Sequence, residues 1–206
     1  HYAAWTRRSV KLWKELAEEL ENVTGHKLSL VHEGGYDFHF CEEELMAKAK
    51  QYEHLRKQLN SDHPYEIWDR KRLLQEEPEI GPDVVGAIYG AEDGHVNPLK
   101  LLNAYTAAIR KLGANLITGT NVSDISQDKS GTFQVTLEDG RIYSSDKVVL
   151  SAGLGAAQLG PKLNFKALVS PQKGQVLITE KLPKKMKRPS GICLLYTSDA
   201  ADDTCC

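Results

Sequence analysis

The chain has 206 residues and a net charge of −2, with 41% hydrophobic and 26% charged residues. This is the composition of a globular domain, with no charge surplus to attract nucleic acid and no apolar run near the roughly 20 residues that span a bilayer. Cys41 stands alone in the body while Cys193, Cys205 and Cys206 crowd the end. That excludes a disulfide framework and fits a reducing, cytoplasmic compartment.

In chain order, residues 3–23 read as a helix with Trp5, Leu12, Trp13, Leu16 and Leu20 on one face, stopped at Thr24-Gly25. From Lys27 to Phe40 the pattern turns to short β runs around Glu33-Gly34-Gly35, and Tyr36, Phe38 and Phe40 alternate with polar residues. The span 42–59 is a second helix. Glu42, Glu43 and Glu44 sit where the helix dipole favours acids, and Leu45, Ala49, Tyr52 and Leu59 form its inner face. Tyr65 to Trp68 is a short strand, and Asp69 caps a short helix from Arg70 to Gln75. Val84 to Tyr89 is a strand that runs into the turn Glu92-Asp93-Gly94. Asn97 then caps a helix with Pro98 in its first position, Leu102, Tyr105, Ile109 and Leu112 as its apolar face, and Gly113 as its stop. Asn115 to Ile117 opens a run of strands. Phe133, Val135 and Leu137 alternate, and Asp139-Gly140 marks a hairpin. Lys147 to Leu150 reads as a strand buried on both faces at the centre of a parallel sheet, and Gly174 to Thr179 as a further strand.

Two segments offer ligand chemistry. Gly153-Leu154-Gly155 allows close backbone approach to an anion, but Gln158 stands where a dinucleotide fingerprint needs a small residue, and no acid follows at the spacing of a ribose ligand. A plain tight turn explains the glycines equally well. Asn121 to Ile125 is an extended segment whose backbone N–H and C=O can pair with an adenine edge, or form an ordinary strand. His32, His39 and Cys41 match no zinc spacing and are expected to pack as core residues, so no metal is assigned. Lys184, Lys185, Lys187 and Arg188 read as a solvated loop. No nucleophile–base order or carboxylate pair stands out, and no catalytic residue is nominated.

The order Asp93-Gly94-His95-Val96-Asn97-Pro98, Lys111-Leu112-Gly113-Ala114, Gly119-Thr120-Asn121-Val122, Lys147 to Gly153 and Pro171 to Leu177 resembles the FAD-dependent D-amino-acid-oxidase family. That family includes glycine oxidase, D-amino-acid dehydrogenase and hydrogen cyanide synthase subunits. The resemblance implies an α/β fold with mixed sheets and helices, truncated at both ends from a two-domain FAD-binding oxidoreductase. It implies oxidation of the C–N bond of an amino acid or amine by hydride transfer to flavin. It carries Val122 over to the adenine contact and Ala152, Gly153 and Leu154 to the pyrophosphate and ribitol, although Leu154-Gly155 replace the family's usual aromatic residue and serine.

The implied division is a substrate-domain portion at 1–96, an FAD-domain portion at 97–162 and a second substrate-domain portion from 163 to 192. Residues 193–206 resemble a translated sequencing adapter and are set aside. The expected partners are a small amino acid or amine and further subunits in a homo- or hetero-oligomer, with association to a membrane only through such subunits. The chain alone is expected to be inactive and flavin-free. Two alternatives stay open: a non-catalytic α/β binding module, and an NAD(P)-dependent dehydrogenase built on Gly153-Leu154-Gly155.

Overall fold

Local sequence signals set most element ends in the computed structural model, which describes residues 2–59, 64–166, 168–178, 180, 183 and 185–192. Helix α1 (Tyr2–Thr24) ends at Gly25, whose φ of 74° is a left-handed value that glycine adopts without strain. Helix α2 (Glu42–Leu59) begins on three acids and ends with Arg56 and Lys57, complementing its dipole at both ends. Between them lies strand β1 (Gly35–His39). Strand β2 (Tyr65–Asp69) leads directly into α3 (Arg70–Glu76), where Asp69 Oδ1 accepts from the Arg72 amide at 2.8 Å. Strand β3 (Gly86–Gly90) follows, and α4 (Pro98–Lys111) starts where Asn97 Oδ1 accepts from the Leu99 and Lys100 amides at 3.1 and 3.0 Å.

The described residues of His1–Ala114 and Lys181–Cys206 form one compact unit, and those of Asn115–Glu180 a second. In the first unit, β7 (Ser190–Ile192) completes a four-stranded sheet of order β2-β3-β1-β7. The pairs β2–β3 and β3–β1 are antiparallel and β1–β7 is parallel, with Phe38 opposite both Ala87 and Ile192. Alternation puts Tyr36, Phe38, Trp68 and Ala87 on one face, where they pack with Leu73 of α3 and Val84. Ile88 on the reverse face meets Leu45 and Ala49 of α2. Helices α1 and α4 share a third core of Ala17, Leu20, Leu28, Ala104 and Ala108. Each fully buried leucine here contributes roughly 1.5–3 kcal/mol.

The second unit is an antiparallel meander of β4 (Val122–Gln127), β5 (Phe133–Leu137) and β6 (Ile142–Ser145). Its β5–β6 turn uses Gly140 at φ 86°. A 3-10 turn (Gly153–Gly155), the short helix α5 (Ala156–Leu159) and a second 3-10 turn (Gly160–Leu163) follow.

The mixed α/β class stands, but several local expectations fail for physical reasons. Lys147 to Leu150 is not a strand, and Val149 is 87% exposed. A strand persists only through a hydrogen-bonded neighbour, and none lies beside it among the described residues. The same holds for Asn115 to Ile117 and for Gly174 to Ile178, where Leu177 is 96% exposed. Thr179 lies outside the described residues. In α4 the buried positions are Ala104 and Ala108, while Leu102 and Leu112 are exposed. Small side chains let α1 approach closely, and that contact outweighs the wider leucine stripe. In α1, likewise, Trp5 and Leu12 are exposed and Ala17 and Leu20 buried. The adapter-like tail lies outside the described residues.

Candidate functional site

Strand β4 is an edge of its sheet, because the order is β4-β5-β6. Its residue Val122 stands opposite Leu137, whose amide is committed to the Arg141 carbonyl on the β6 side at 2.9 Å. The flanking bond runs from the Glu138 amide to the Asn121 carbonyl, also at 2.9 Å. Val122 therefore belongs to a non-hydrogen-bonded pair, and its own N–H and C=O point away from β5 toward the open edge. A register shift between Val122 and Asp124 accentuates the break in the ladder at this point. Neighbouring side chains brace the strand: Asn121 Nδ2 donates to Glu138 Oε2 at 3.0 Å, and Ser123 Oγ to the Thr136 carbonyl at 3.1 Å.

The second group of residues sits on the first 3-10 turn. Ala152 has φ −89° and ψ 11°, and Gly153 has φ 55°. The Gly155 amide donates to the Ala152 carbonyl at 3.0 Å, and the Ala156 amide to the carbonyls of Gly153 and Leu154. The amides of Gly153 and Leu154 head the turn and find no acceptor within it. Nothing lies within 4 Å of where a Cβ on Gly153 would stand, so the glycine serves backbone conformation and leaves its face open to a ligand. Lys162 on the following 3-10 turn donates to Asp124 Oδ1 at 2.6 Å, tying this segment to β4. That hydrogen bond holds the Asp124 carboxyl below its ordinary range.

The structure thus brings Val122, Ala152, Gly153 and Leu154 into one unit. Their donor set consists of backbone amides on an open edge and an open turn. It fits a dinucleotide whose adenine needs one donor and one acceptor and whose phosphates need N–H groups. No side-chain acid or base is needed for such contacts, which is why residue types alone do not reveal them.

Three features of the first unit escape sequence reading. Glu77, which is 1% exposed, accepts the Lys187 amide on both carboxylate oxygens at 3.1 and 3.0 Å. Arg188 donates to the Tyr36 hydroxyl at 2.7 Å and the Glu33 carbonyl at 2.8 Å, with its guanidinium 5.7 Å from the ring centres of Tyr36 and Tyr89. Burial pushes the Tyr36 phenol up, against the opposing pull of Arg188. The segment is docked through the Lys187 amide and the Arg188 guanidinium, while the Lys185 and Lys187 side chains stay in solvent as expected; Lys184 lies outside the described residues. His39 is buried as expected of a core residue, yet neither ring nitrogen has a hydrogen-bond partner. His32 contacts the Glu92 carbonyl instead of joining His39. Among the described residues, no group of three or more His, Cys, Asp or Glu could hold a metal.

A family described as FAD-dependent oxidoreductase, the DAO family, matches residues 1–204, and the chain belongs to it. The chain is 36% identical to an opine oxidase subunit of Agrobacterium tumefaciens over 88% of its own length and 48% of the relative's. It is 31% identical to glycine oxidase of Geobacillus kaustophilus, over 83% of this chain and 44% of that one. The crystal structure of that glycine oxidase superposes with a TM-score of 0.69 at 30% identity, covering 76% of this chain and 41% of the other. The chain spans about half the length of the curated relatives it matches.

Proposed function

We propose that this chain works within an FAD-dependent oxidase or dehydrogenase acting on the C–N bond of an amino acid or secondary amine. The carrying observation is the family match along residues 1–204, read together with the outward-facing backbone of Val122. When bound, FAD supplies a two-electron acceptor for a hydride leaving the substrate α-carbon, and the resulting imine is hydrolysed by water. In this reading Val122 offers its N–H and C=O to adenine, and Ala152, Gly153 and Leu154 line the path of the pyrophosphate and ribitol. Residues 97–162 supply the FAD side, and residues 1–96 with 163–192 the substrate side. The relatives named as opine oxidase subunits support a secondary amine as substrate and a hetero-oligomer as the working form. No helix among the described residues is long and apolar enough to cross a membrane. The lone body cysteine, Cys41, supports a reducing, cytoplasmic setting for the enzyme.

The test is expression of the complete reading frame that contains this chain, followed by anaerobic mixing with glycine, sarcosine, proline, D-amino acids and an opine. Bleaching of the flavin absorbance by one of these amines is the expected result. A purified protein without flavin, or a flavin that no amine reduces, refutes the proposal. The adenine contact has its own test. Val122→Pro removes an amide that the ladder does not use and should weaken FAD binding about 2- to 12-fold, the worth of one net hydrogen bond. Val122→Ala should leave it unchanged, because the contact is through backbone.

A further inference from the structure

His39 ends β1 and is 2% exposed, with both ring nitrogens unpartnered among the described residues. Buried polar atoms are nearly always paired, so an imidazole with neither nitrogen satisfied calls for a reason. Alternation along β1 places it on the face away from Tyr36 and Phe38, beneath α2. Its carbonyl accepts from the Val85 amide at 2.9 Å, which ties the end of β1 to the entry of β3. Opposite it stands Gly86, where a Cβ would run into Leu45 of α2 at 2.8 Å, so the helix lies close over this corner. The apolar anchor of α2 is small: Leu45 and Ala49 against Ile88, with Tyr52 and Tyr65 beside them.

We propose that His39 is an acid-sensitive catch for α2: the neutral ring packs beneath the helix, and its protonation releases the helix from the sheet. The charged groups facing the ring are Asp37 on its own strand, with Oδ2 at 3.8 Å from Nε2, and Glu44 and Lys48 on α2. The facing segment of β3 contributes Gly86 and no charge. Burial holds the imidazole below its ordinary value of 6.5, Asp37 and Glu44 pull it up, and Lys48 pushes it down. A charge on the ring has no partner at hydrogen-bonding distance, so desolvation outweighs these attractions. The released ring binds its proton near 6.5 and the packed ring only at lower pH, so acid favours release. Above 6.5 both forms are neutral and pH has no effect through this residue. Between 6.5 and the packed-ring value, each unit of acidification favours release about tenfold.

The test is hydrogen–deuterium exchange of the full chain at pH 7.5 and 5.5, corrected for intrinsic exchange. Peptides from α2 should open several-fold more at pH 5.5, while those from α1 and α4 keep their protection. His39→Leu should abolish the difference. Asp37→Asn removes the largest attraction for the proton and should deepen the acid-induced opening. Equal α2 protection at the two pH values, or a pH dependence that survives His39→Leu, overturns the proposal. Should His39→Leu fail to fold, the imidazole C2–H titration of the wild-type chain decides: a midpoint clearly below 6.5 supports the catch, and one at or above 6.5 overturns it.

Discussion

Truncating Glu77 tests whether one buried carboxylate holds the segment Lys185–Ser190 on the sheet. Both of its oxygens accept the Lys187 amide, whereas its neighbours make looser or more exposed pairs: Glu76 with Lys187 at 3.6 Å and with half-buried Arg188 at 3.5 Å, and Glu79 with exposed Lys185 at 2.8 Å. Exposed pairs contribute about 0–1 kcal/mol each, whereas a buried hydrogen bond to a charged group contributes about 1.5–3 kcal/mol. Glu77→Ala should therefore lower stability by about 1.5–3 kcal/mol, measured by urea unfolding through the fluorescence of buried Trp68. Glu76→Gln and Glu79→Gln should change it by less than about 1 kcal/mol each. Because the same segment carries Arg188 over Tyr36 and leads into β7, Glu77→Ala should also speed tryptic cleavage after Lys185 and Lys187; the Arg188–Pro189 bond resists trypsin in either state. Lys187→Pro removes the donor instead of the acceptor, and the double variant should cost less than the sum of the two. Unchanged stability together with unchanged cleavage in Glu77→Ala would refute the reasoning.

Leu73 is fully buried between α3 and the aromatic face of the sheet, so Leu73→Ala should cost about 2–5 kcal/mol, visible as a lowered thermal midpoint. Ala104→Leu forces bulk into the α1–α4 contact and should cost about 1–3 kcal/mol in the same measurement, whereas Leu102→Ala on the exposed face should have little effect. The Asp124 carboxyl is held below its ordinary value of 3.8 chiefly by Lys162. Its contribution is complete above that value and is lost as pH falls through the lowered one. Lys162→Ala should move the Asp124 titration, followed by NMR, back toward 3.8. An unmoved midpoint would show that the ion pair is absent in solution.

What residue order alone determined is mostly local. Asn97 with Pro98, Asp69, Gly25 and Asp139-Gly140 act over three or four residues, so helix caps and the hairpin turn were readable before any packing was known. The family, and with it the flavin, was readable from the order of several short motifs. Other features were decided only by tertiary structure. Helix α4 offered two faces, and the close approach of α1 chose Ala104 and Ala108 over the leucines. Lys147 to Leu150 and Gly174 to Ile178 carry strand-like sequences, yet a strand is a property of a pair, and among the described residues no neighbour bonds to them. The direction of the Val122 amide depended on the register of β4 against β5, which no single segment contains. Glu77 and Lys187 are 110 residues apart, and His39 with its unpartnered nitrogens looks like any core histidine in sequence. Burial and partner choice are set by contacts between distant segments, and these residues acquire their chemistry only when the sheet and helices close around them.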